Sequence, residues 1–399
     1  MIPLVAFALL FTTHSGMTIR SASASLLPPE PLPLGGYTER GDKHFLPGGD
    51  DLRVRVEILQ QGSKRLALVA AEMLTIPESL QREVVKSVGD PSLAIFLAAT
   101  HTHCAPDSQM LNDRMTISIP GIATYKHRWL DWYALRIAET IRAAGKAPAK
   151  AFSPSLLLGH ADLNHGRRYL AEPDQTITEV PNLLFSVAAH PVFYGPEEMQ
   201  TRGDWPGEWM RHNSELAFTG AIGDMSPSAE GPTPKDQVAR FAIDAFFALR
   251  KPPHKLASNL EVAKVEVTPP AAIPHPQFYD YYKVPPPLAK IIVGKFAPTQ
   301  GEITAFRIGD FAVVGIPGEP TSRLGRRIRN YGRRLGFFDC LVVSHVGGWM
   351  GYLLDAEDYG RGGYEATLSF YGPSFGDSIT DSAERALDIL AHSSRRGKR

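Results

Sequence analysis

The stretch Leu93–Pro106 reads LAIFLAATHTHCAP, an apolar run that ends at a pair of histidines. Its first part, Leu93–Ala98, is short, unbroken and rich in aliphatic residues, which is typical of a strand covered on both faces. Side chains two residues apart on an extended chain point to the same side, so the imidazoles of His101 and His103 are expected to face together. Paired imidazoles at the end of a buried strand favour a metal or catalytic site.

Four other apolar runs end in the same way, with a metal-binding or catalytic side chain just past the strand. They are Leu183–Ala189 before His190, Leu216–Ile222 before Ser226, Phe311–Ile316 before Glu319, and Cys340–His345 before Tyr352. The carboxyl ends of strands line the ligand crevice in layered α/β folds, so these side chains are expected to meet. Two neutral imidazoles and one carboxylate form a common catalytic Zn²⁺ site. Taken singly, Glu319 would also suit the first turn of a helix, and Ser226 a turn or a helix cap.

The remaining pattern predicts an α/β fold of mixed sheets covered by helices, in one large domain. Strands are also expected at Leu52–Ile58 and Leu66–Ala71. Apolar residues at helical spacing predict helices at Trp129–Ala144, Asp236–Leu249 and Ser378–Ala391, and another after Pro320. No period of 20–50 residues recurs, which excludes solenoids and propellers.

Composition excludes some functions. The 399 residues carry 42 Lys and Arg against 42 Asp and Glu, so the formal net charge is zero. Because phosphate binding needs a basic stripe, nucleic acid is not expected as the main partner. The two cysteines, Cys104 and Cys340, are too few for a scaffold held by disulfides. They are expected to be free buried thiols, and they would pair only if the fold brought them together.

The N-terminal run Ile2–Phe11 is the most membrane-like part of the chain. It falls short of the ~20 apolar residues that span a bilayer, but it suits the apolar core of a signal peptide. Small residues follow at Ser21–Ala24, so a signal peptide is predicted over residues 1–24, with export to the periplasm or the medium. If Met17 is the true start, the protein is cytoplasmic instead.

The stretch Thr268–Leu288 is rich in proline and tyrosine. Proline interrupts both ladders and helix interiors, so an ordered loop or lid is predicted there. Two interpretations stay open: a surface loop pinned by its own aromatic rings, or an apolar rim for a greasy substrate that also touches a membrane.

An ordered set of motifs in this chain resembles the neutral/alkaline (non-lysosomal) ceramidases, zinc-dependent amidases that cut the N-acyl bond of ceramide. The motifs run from about Leu32 to Gly372 and cover most of the chain. They are LPLGGYTER at Leu32–Arg40, AATHTHCAP at Ala98–Pro106, AAHP at Ala188–Pro191, GDWPG at Gly203–Gly207, GDMSPS at Gly223–Ser228, IPGEP at Ile316–Pro320 and GYLLDAEDYGRGGYE at Gly351–Glu365. Each motif is modest alone, and the ordered set is specific.

The resemblance implies a role for each matching residue. The implied zinc ligands are His101, His190, Glu319 and Tyr352. The implied catalytic residues are His103, which would contact the scissile amide, Ser226, which the family needs for activity, Tyr364, a second active-site tyrosine, and Arg167, which would position the substrate. Arg168 is the alternative to Arg167, because the family's arginine motif matches this sequence less clearly. The Cys-Ala-Pro-Asp segment after the histidines replaces a stretch that is richer in glycine in the family.

The resemblance also implies a fold and an activity. The expected fold is two packed mixed β-sheets flanked by helices, in a single catalytic domain over residues 25–399 without the family's immunoglobulin-like C-terminal domain. The expected activity is hydrolysis of the N-acyl amide of ceramide, or of a related N-acyl lipid, by a zinc-bound water. Two alternatives stay open: a zinc amidase or esterase of the same family acting on a non-ceramide small molecule, and a non-catalytic lipid- or glycan-binding protein. A dinuclear amidohydrolase barrel is disfavoured, since at least two strands precede the histidine pair.

Overall fold

The computed structural model describes residues 16–396. The strands in this range are β1 Thr18–Ser25, β2 Arg53–Gln61, β3 Lys64–Ala71, β4 Leu93–Ala99, β5 Lys150–Ala151, β6 Ser155–His160, β7 Asn164–Gly166, β8 Thr176–Val180, β9 Leu184–Val187, β10 Leu216–Thr219, β11 Met225–Pro227, β12 His254–Lys255, β13 Leu260–Val267, β14 Gly301–Ile308, β15 Phe311–Gly315, β16 Glu319–Pro320, β17 Asp339–Val343 and β18 Tyr352–Leu353. The helices are α1 Glu78–Val88, α2 His127–Lys146, α3 Asp204–His212, α4 Pro234–Ala248, α5 Phe278–Tyr282, α6 Pro286–Phe296, α7 Ser322–Arg334, α8 Ala356–Gly360, α9 Tyr364–Thr367 and α10 Phe375–Arg396. None of these helices is long and apolar enough to cross a bilayer.

Three mixed sheets carry the fold, and each contains one parallel pair. The first has the strand order β4-β3-β2-β1-β5, with β3 and β4 parallel. The second has the order β10-β9-β8-β6-β12, with β9 and β10 parallel. The third has the order β13-β14-β15-β17, with β15 and β17 parallel. The two strands of a parallel pair end at the same edge of the sheet, so the residues that follow them lie close together.

The first sheet forms one layer, and the other two sheets together form the layer beneath it. One face of the first sheet packs on α1 and α2, and its other face packs on both remaining sheets. Phe96 of β4 joins the layers, because its ring lies 5.9 Å from that of Phe218 in the second sheet and 5.4 Å from that of Phe306 in the third. Helices α7 and α10 cover the outer face of the third sheet. The predicted mixed α/β fold flanked by helices is therefore confirmed, and the second layer consists of two sheets.

The first strand overlaps the segment predicted to be a signal peptide. Residues 1–15 lie outside the described part of the chain. The following residues Thr18–Ser25 pair with β2 along their whole length. The small residues Ser21–Ala24, which were expected to form a cleavage site, thus lie within a paired strand. Their alternation of small, polar and apolar residues gave no strong strand signal.

The proline-rich stretch Thr268–Leu288 holds more helix than the sequence predicted. Residues Phe278–Tyr282 form α5, and Pro286 begins α6. Proline at the first turn costs no backbone hydrogen bond, so the expectation of a loop throughout was wrong. Tyr279 and Tyr281 are each 49% exposed on the outside of this segment. The two cysteines are free and buried, as predicted.

Candidate metal centre

The histidine pair sits on a turn that follows β4. The backbone N–H of His101 donates to the carbonyl of Met73, and the residue adopts a left-handed φ of 65°. The chain is therefore not extended at this point, contrary to the prediction from residue spacing. Even so, the imidazoles converge, with Nε2 of His101 and Nε2 of His103 only 3.3 Å apart. The Nδ1 atom of His101 lies 2.8 Å from the carbonyl of Leu74, which leaves Nε2 facing the site.

His190 follows β9 in the second sheet and reaches the same place. Its Nδ1 lies 3.1 Å from the carbonyl oxygen of Met225, in a contact that fixes the ring. Its Nε2 lies 3.2 Å from Oε2 of Glu319. A histidine that donates one ring N–H to a backbone carbonyl and presents the other nitrogen is the usual form of a metal ligand.

Glu319 and Tyr352 come from the short parallel pair β16 and β18, where they lie directly opposite each other. The carboxylate is buried, and Oε2 is 3.7 Å from Nε2 of His101. On its other side, Oε1 accepts a hydrogen bond of 2.8 Å from the indole N–H of Trp349. Donor separations of 3.2–3.7 Å suit a single zinc ion, since bonds of ~2.0–2.1 Å place tetrahedral ligands about 3.3 Å apart.

Among the predicted metal ligands, two buried atoms have no hydrogen-bond partner: Nε2 of His190 and Oε2 of Glu319. These two atoms are 3.2 Å apart, but they do not form a hydrogen bond with each other. Burying unpaired polar atoms costs free energy, and a cation between them would satisfy both. The donor set of imidazole nitrogens and one carboxylate oxygen therefore fits a divalent metal, and it suits zinc.

The protonation states also favour metal binding. Burial lowers the pKa of His101 and, to about 4, that of His190, so both rings are neutral at pH 7. Burial alone would raise the pKa of Glu319, but the surrounding imidazoles hold it well below its usual range. Neutral imidazoles and an ionised carboxylate are the forms that bind metal.

His345 also belongs to the cluster, although no role was predicted for it from the sequence. It is fully buried, and its ring stacks on that of His101 with centroids 4.0 Å apart. Two sets of donors lie close enough together to hold an ion: His101, His103 and His190, and His101, Glu319 and His345. The sequence did contain a signal, because His345 ends the apolar run Cys340–His345 just as His190 follows its own. The contact of Trp349 with Glu319 had no comparable signal.

The structure separates the two candidate arginines. Arg167 donates to the Tyr352 hydroxyl at 3.3 Å and to Glu365 at 2.7 Å, so it lies beside the cluster. Arg168 instead forms ion pairs with Asp358 at 2.9 Å and with Glu365 at 2.7 Å, away from the histidines. The geometry therefore favours Arg167 as the arginine of the site.

The cluster opens into a cavity of about 130 Å³. Its walls come from both ends of the chain and mix polar and apolar side chains. The lining residues include Tyr37, Thr75, Gln109, Ile122, Phe296, Trp349, Tyr364 and Leu368. His101, His103, Glu319 and Tyr352 also belong to this lining. A molecule that enters the cavity would therefore lie beside these donors.

Comparison with known proteins bears on the fold. No protein-family model matches the chain, and no curated protein sequence matches it. A crystal structure of neutral ceramidase from Pseudomonas aeruginosa matches with a TM-score of 0.78 and 14% identity, over 95% of this chain and 75% of that chain. A ceramidase complexed with C2 matches with a TM-score of 0.77 and 14% identity, over 95% of this chain and 76% of that one. The chain has a neutral ceramidase-like fold.

Within this ceramidase-like fold, the remaining predicted residues lie at different distances from the donors. Tyr364 lines the cavity, and its ring lies 5.9 Å from that of Tyr352. Burial and the nearby Glu319 hold the pKa of Tyr352 well above its usual range. Ser226 lies in β11 opposite His165, next to the residue whose carbonyl holds His190, and it is not part of the cavity wall. Its predicted role in activity stays a prediction.

Proposed function

We propose that this protein is a zinc-dependent hydrolase of the N-acyl amide bond of ceramide or of a related N-acyl lipid. The observation that carries the proposal is the buried cluster of imidazole and carboxylate donors beside a cavity, in which Nε2 of His190 and Oε2 of Glu319 are unpaired, within a neutral ceramidase-like fold. His101, His190 and Glu319 would hold the metal, with Tyr352 as the fourth ligand. Bound zinc polarises a carbonyl and lowers the pKa of water from 15.7 to about 7.

The chain's own residues would orient the amide. His103 and Tyr364 lie on the cavity wall and are the candidate donors to the oxygen that becomes negative as the amide is attacked. A donor aimed at such an oxygen is worth ~3–4 kcal/mol of barrier. Arg167 holds the hydroxyl of Tyr352 and would position the polar head of the substrate. Ser226 would act by orientation, and no acyl-serine is proposed.

The apolar part of the cavity supports a lipid substrate. Ile122, Phe296 and Leu368 line it. Outside, Leu288 and Ile291 at the start of α6 are 47% and 53% exposed, close in sequence to the exposed tyrosines of α5. Exposed apolar and tyrosine side chains beside a cavity suit contact with a membrane surface, from which a lipid would enter.

The direct test is His101→Ala, with zinc content and amidase activity measured on the same preparation. Both are expected to be lost, because the imidazole supplies a donor that the methyl group cannot replace. His127→Ala is the matched control, since His127 is exposed on α2 and should change neither quantity. Full retention of zinc or of activity by His101→Ala would refute the ligand role.

A second candidate is an amidase or esterase of the same architecture acting on a more polar N-acylated or acylated compound. Thr75 favours it, because its buried hydroxyl has no hydrogen-bond partner and lines the cavity next to Gln109. A panel of N-acyl amides that differ in acyl length and head-group polarity separates the two. A preference for long chains supports the ceramide-like substrate, and a preference for short polar amides supports the second candidate.

A further inference from the structure

The carboxylate of Glu319 faces different partners with its two oxygens. Oε2 points to Nε2 of His190 and Nε2 of His101, at 3.2 and 3.7 Å. Oε1 points away from them, to the indole N–H of Trp349 at 2.8 Å and to Nε2 of His345 at 3.9 Å. Oε2 thus faces the position proposed for the metal, and Oε1 is held on the other side of the carboxylate by the indole N–H of Trp349.

His345 is an unusual residue to find at this position. It is completely buried, and neither ring nitrogen has a hydrogen-bond partner. Its backbone adopts a φ of 58°, in the left-handed region that is unfavourable for a residue with a Cβ. Strain and unpaired buried polar groups persist where the surrounding structure imposes them, and they concentrate at functional sites.

The backbone of His345 forms hydrogen bonds with the two segments that carry His101 and Glu319. Its N–H donates to the carbonyl of Gly318, next to Glu319, at 3.1 Å. Its carbonyl accepts from the N–H of Ala99, at the end of the strand that precedes His101, at 3.2 Å. With its ring stacked on His101 as well, His345 touches both the carboxylate and the first imidazole of the site.

We infer that Trp349 and His345 are positioning residues for Glu319. The indole N–H of Trp349 holds Oε1 by a hydrogen bond, and the His345 ring lies against the same oxygen at 3.9 Å, so that only Oε2 is free to bind the metal. This inference rests on the proposed function, because it assigns a task to the surroundings of that same site. A carboxylate held by one oxygen takes a single coordination position and leaves another open for water or substrate, as a catalytic zinc site requires. Outer partners of this kind typically account for 10–100-fold in metal affinity.

Trp349→Phe removes the indole N–H and keeps an aromatic ring beside Phe296 and Phe370, whose centroids lie 6.3 and 5.4 Å away. The dissociation constant for zinc, measured on the full chain by competition with a chelator, is expected to rise about 10–100-fold. The Co²⁺-loaded variant should also show weaker visible absorption, because a carboxylate free to bind with both oxygens raises the coordination number. The matched control is Trp209→Phe, since the indole N–H of Trp209 is buried without a partner. It should change neither quantity.

His345→Asn is the second variant, and it keeps the inference testable if Trp349→Phe fails to fold. Asparagine tolerates the left-handed backbone, so this change removes the imidazole without adding strain. It is also expected to weaken zinc binding. In the double variant with Trp349→Phe, the loss of binding free energy should be smaller than the sum of the two single losses. Parent-like zinc affinity and Co²⁺ spectra in both folded variants would overturn the inference while leaving the proposed function intact. A parent protein that binds no zinc would refute the proposed function itself.

Discussion

Hydrogen bonds to the backbone decide which atoms of the site are free. Nδ1 of His101 contacts the Leu74 carbonyl and Nδ1 of His190 contacts the Met225 carbonyl, so the Nε2 atom of each ring is left to face Glu319. Each ring therefore has one tautomer that suits both neighbours. The chain fixes these orientations with main-chain groups, which side-chain substitutions elsewhere do not remove.

The two adjacent arginines should respond differently to the same substitution. Arg168→Gln leaves the buried carboxylates of Asp358 and Glu365 short of a partner, so it is expected to lower the free energy of unfolding by about 3–5 kcal/mol. Arg167→Gln should reduce kcat/KM with a smaller loss of stability, because Arg167 is the arginine that contacts Tyr352. Denaturant unfolding and steady-state kinetics on both variants check this. Equal effects of the two substitutions on both quantities would contradict it.

Glu72 makes stability depend on pH. Burial raises the pKa of this carboxyl from 4.5 to about 7, so the folded state holds its proton more tightly than the unfolded chain does. Its contribution to stability is full below pH 4.5 and is lost as the pH rises through about 7. Glu72→Gln is neutral at every pH and should make the fall in the free energy of unfolding between about pH 5 and pH 8 shallower, while Glu57, Glu179 and Asp204, whose pKa values burial also raises to about 7, keep part of it. Denaturant unfolding at both pH values checks this, with the exposed Glu39→Gln expected to keep the parent profile.

At the scale of elements, the parallel pairs explain where the site lies. His101 follows the pair β3 and β4, and His190 follows the pair β9 and β10. Glu319 and His345 follow the pair β15 and β17, and the small pair β16 and β18 then sets Glu319 beside Tyr352. Each sheet runs mostly antiparallel, so its single parallel pair marks the edge where two strand ends can supply side chains to one place.

Gly351 holds the short pair β16 and β18 together. Its φ is 79°, its carbonyl accepts from the N–H of Glu319, and an added Cβ would lie 2.2 Å from the carbonyl oxygen of Leu368. Gly351→Ala is therefore expected to lower the free energy of unfolding by more than the roughly 1–2 kcal/mol of the backbone strain alone, and to weaken zinc binding. Gly336→Ala is the control, because Gly336 also has a positive φ but has nothing within 4 Å of an added Cβ. Equal losses for the two variants would show that the close contact has no effect.

At the scale of the whole molecule, zinc would link all three sheets. The three predicted ligands His101, His190 and Glu319 follow strands of different sheets. All three can therefore bind one ion only when the chain is folded. A ligand at 100 times its dissociation constant stabilises the folded state by about 2.7 kcal/mol. Removing zinc with a chelator is thus expected to lower the Tm measured by calorimetry, and re-addition should restore it. Glu319→Gln should lose most of this shift, and an unchanged shift in that variant would contradict the assignment.

The sequence predicted the parts of this molecule whose signals are local. Buried strands such as Leu93–Ala99 can be recognised as unbroken apolar runs. The residues His101, His190 and Glu319 were predicted to lie close together because they follow such runs. The strand Thr18–Ser25 was missed because small and polar residues alternate with few large apolar ones. The indole contact of Trp349 could not be predicted, because it depends on how a turn folds back onto a strand far away in sequence. The choice of Arg167 over Arg168 likewise needed the positions of carboxylates about 190 residues further on.

The packing of Phe96 against both sheets of the lower layer has a consequence for the order in which the protein matures. The lower layer carries His190, Glu319 and Tyr352, and His101 of the upper layer reaches them only after this ring is buried between the layers, so a chain with one layer formed lacks the complete set of predicted ligands. Under the proposed function, zinc would therefore meet its full set of ligands only after the two layers have closed.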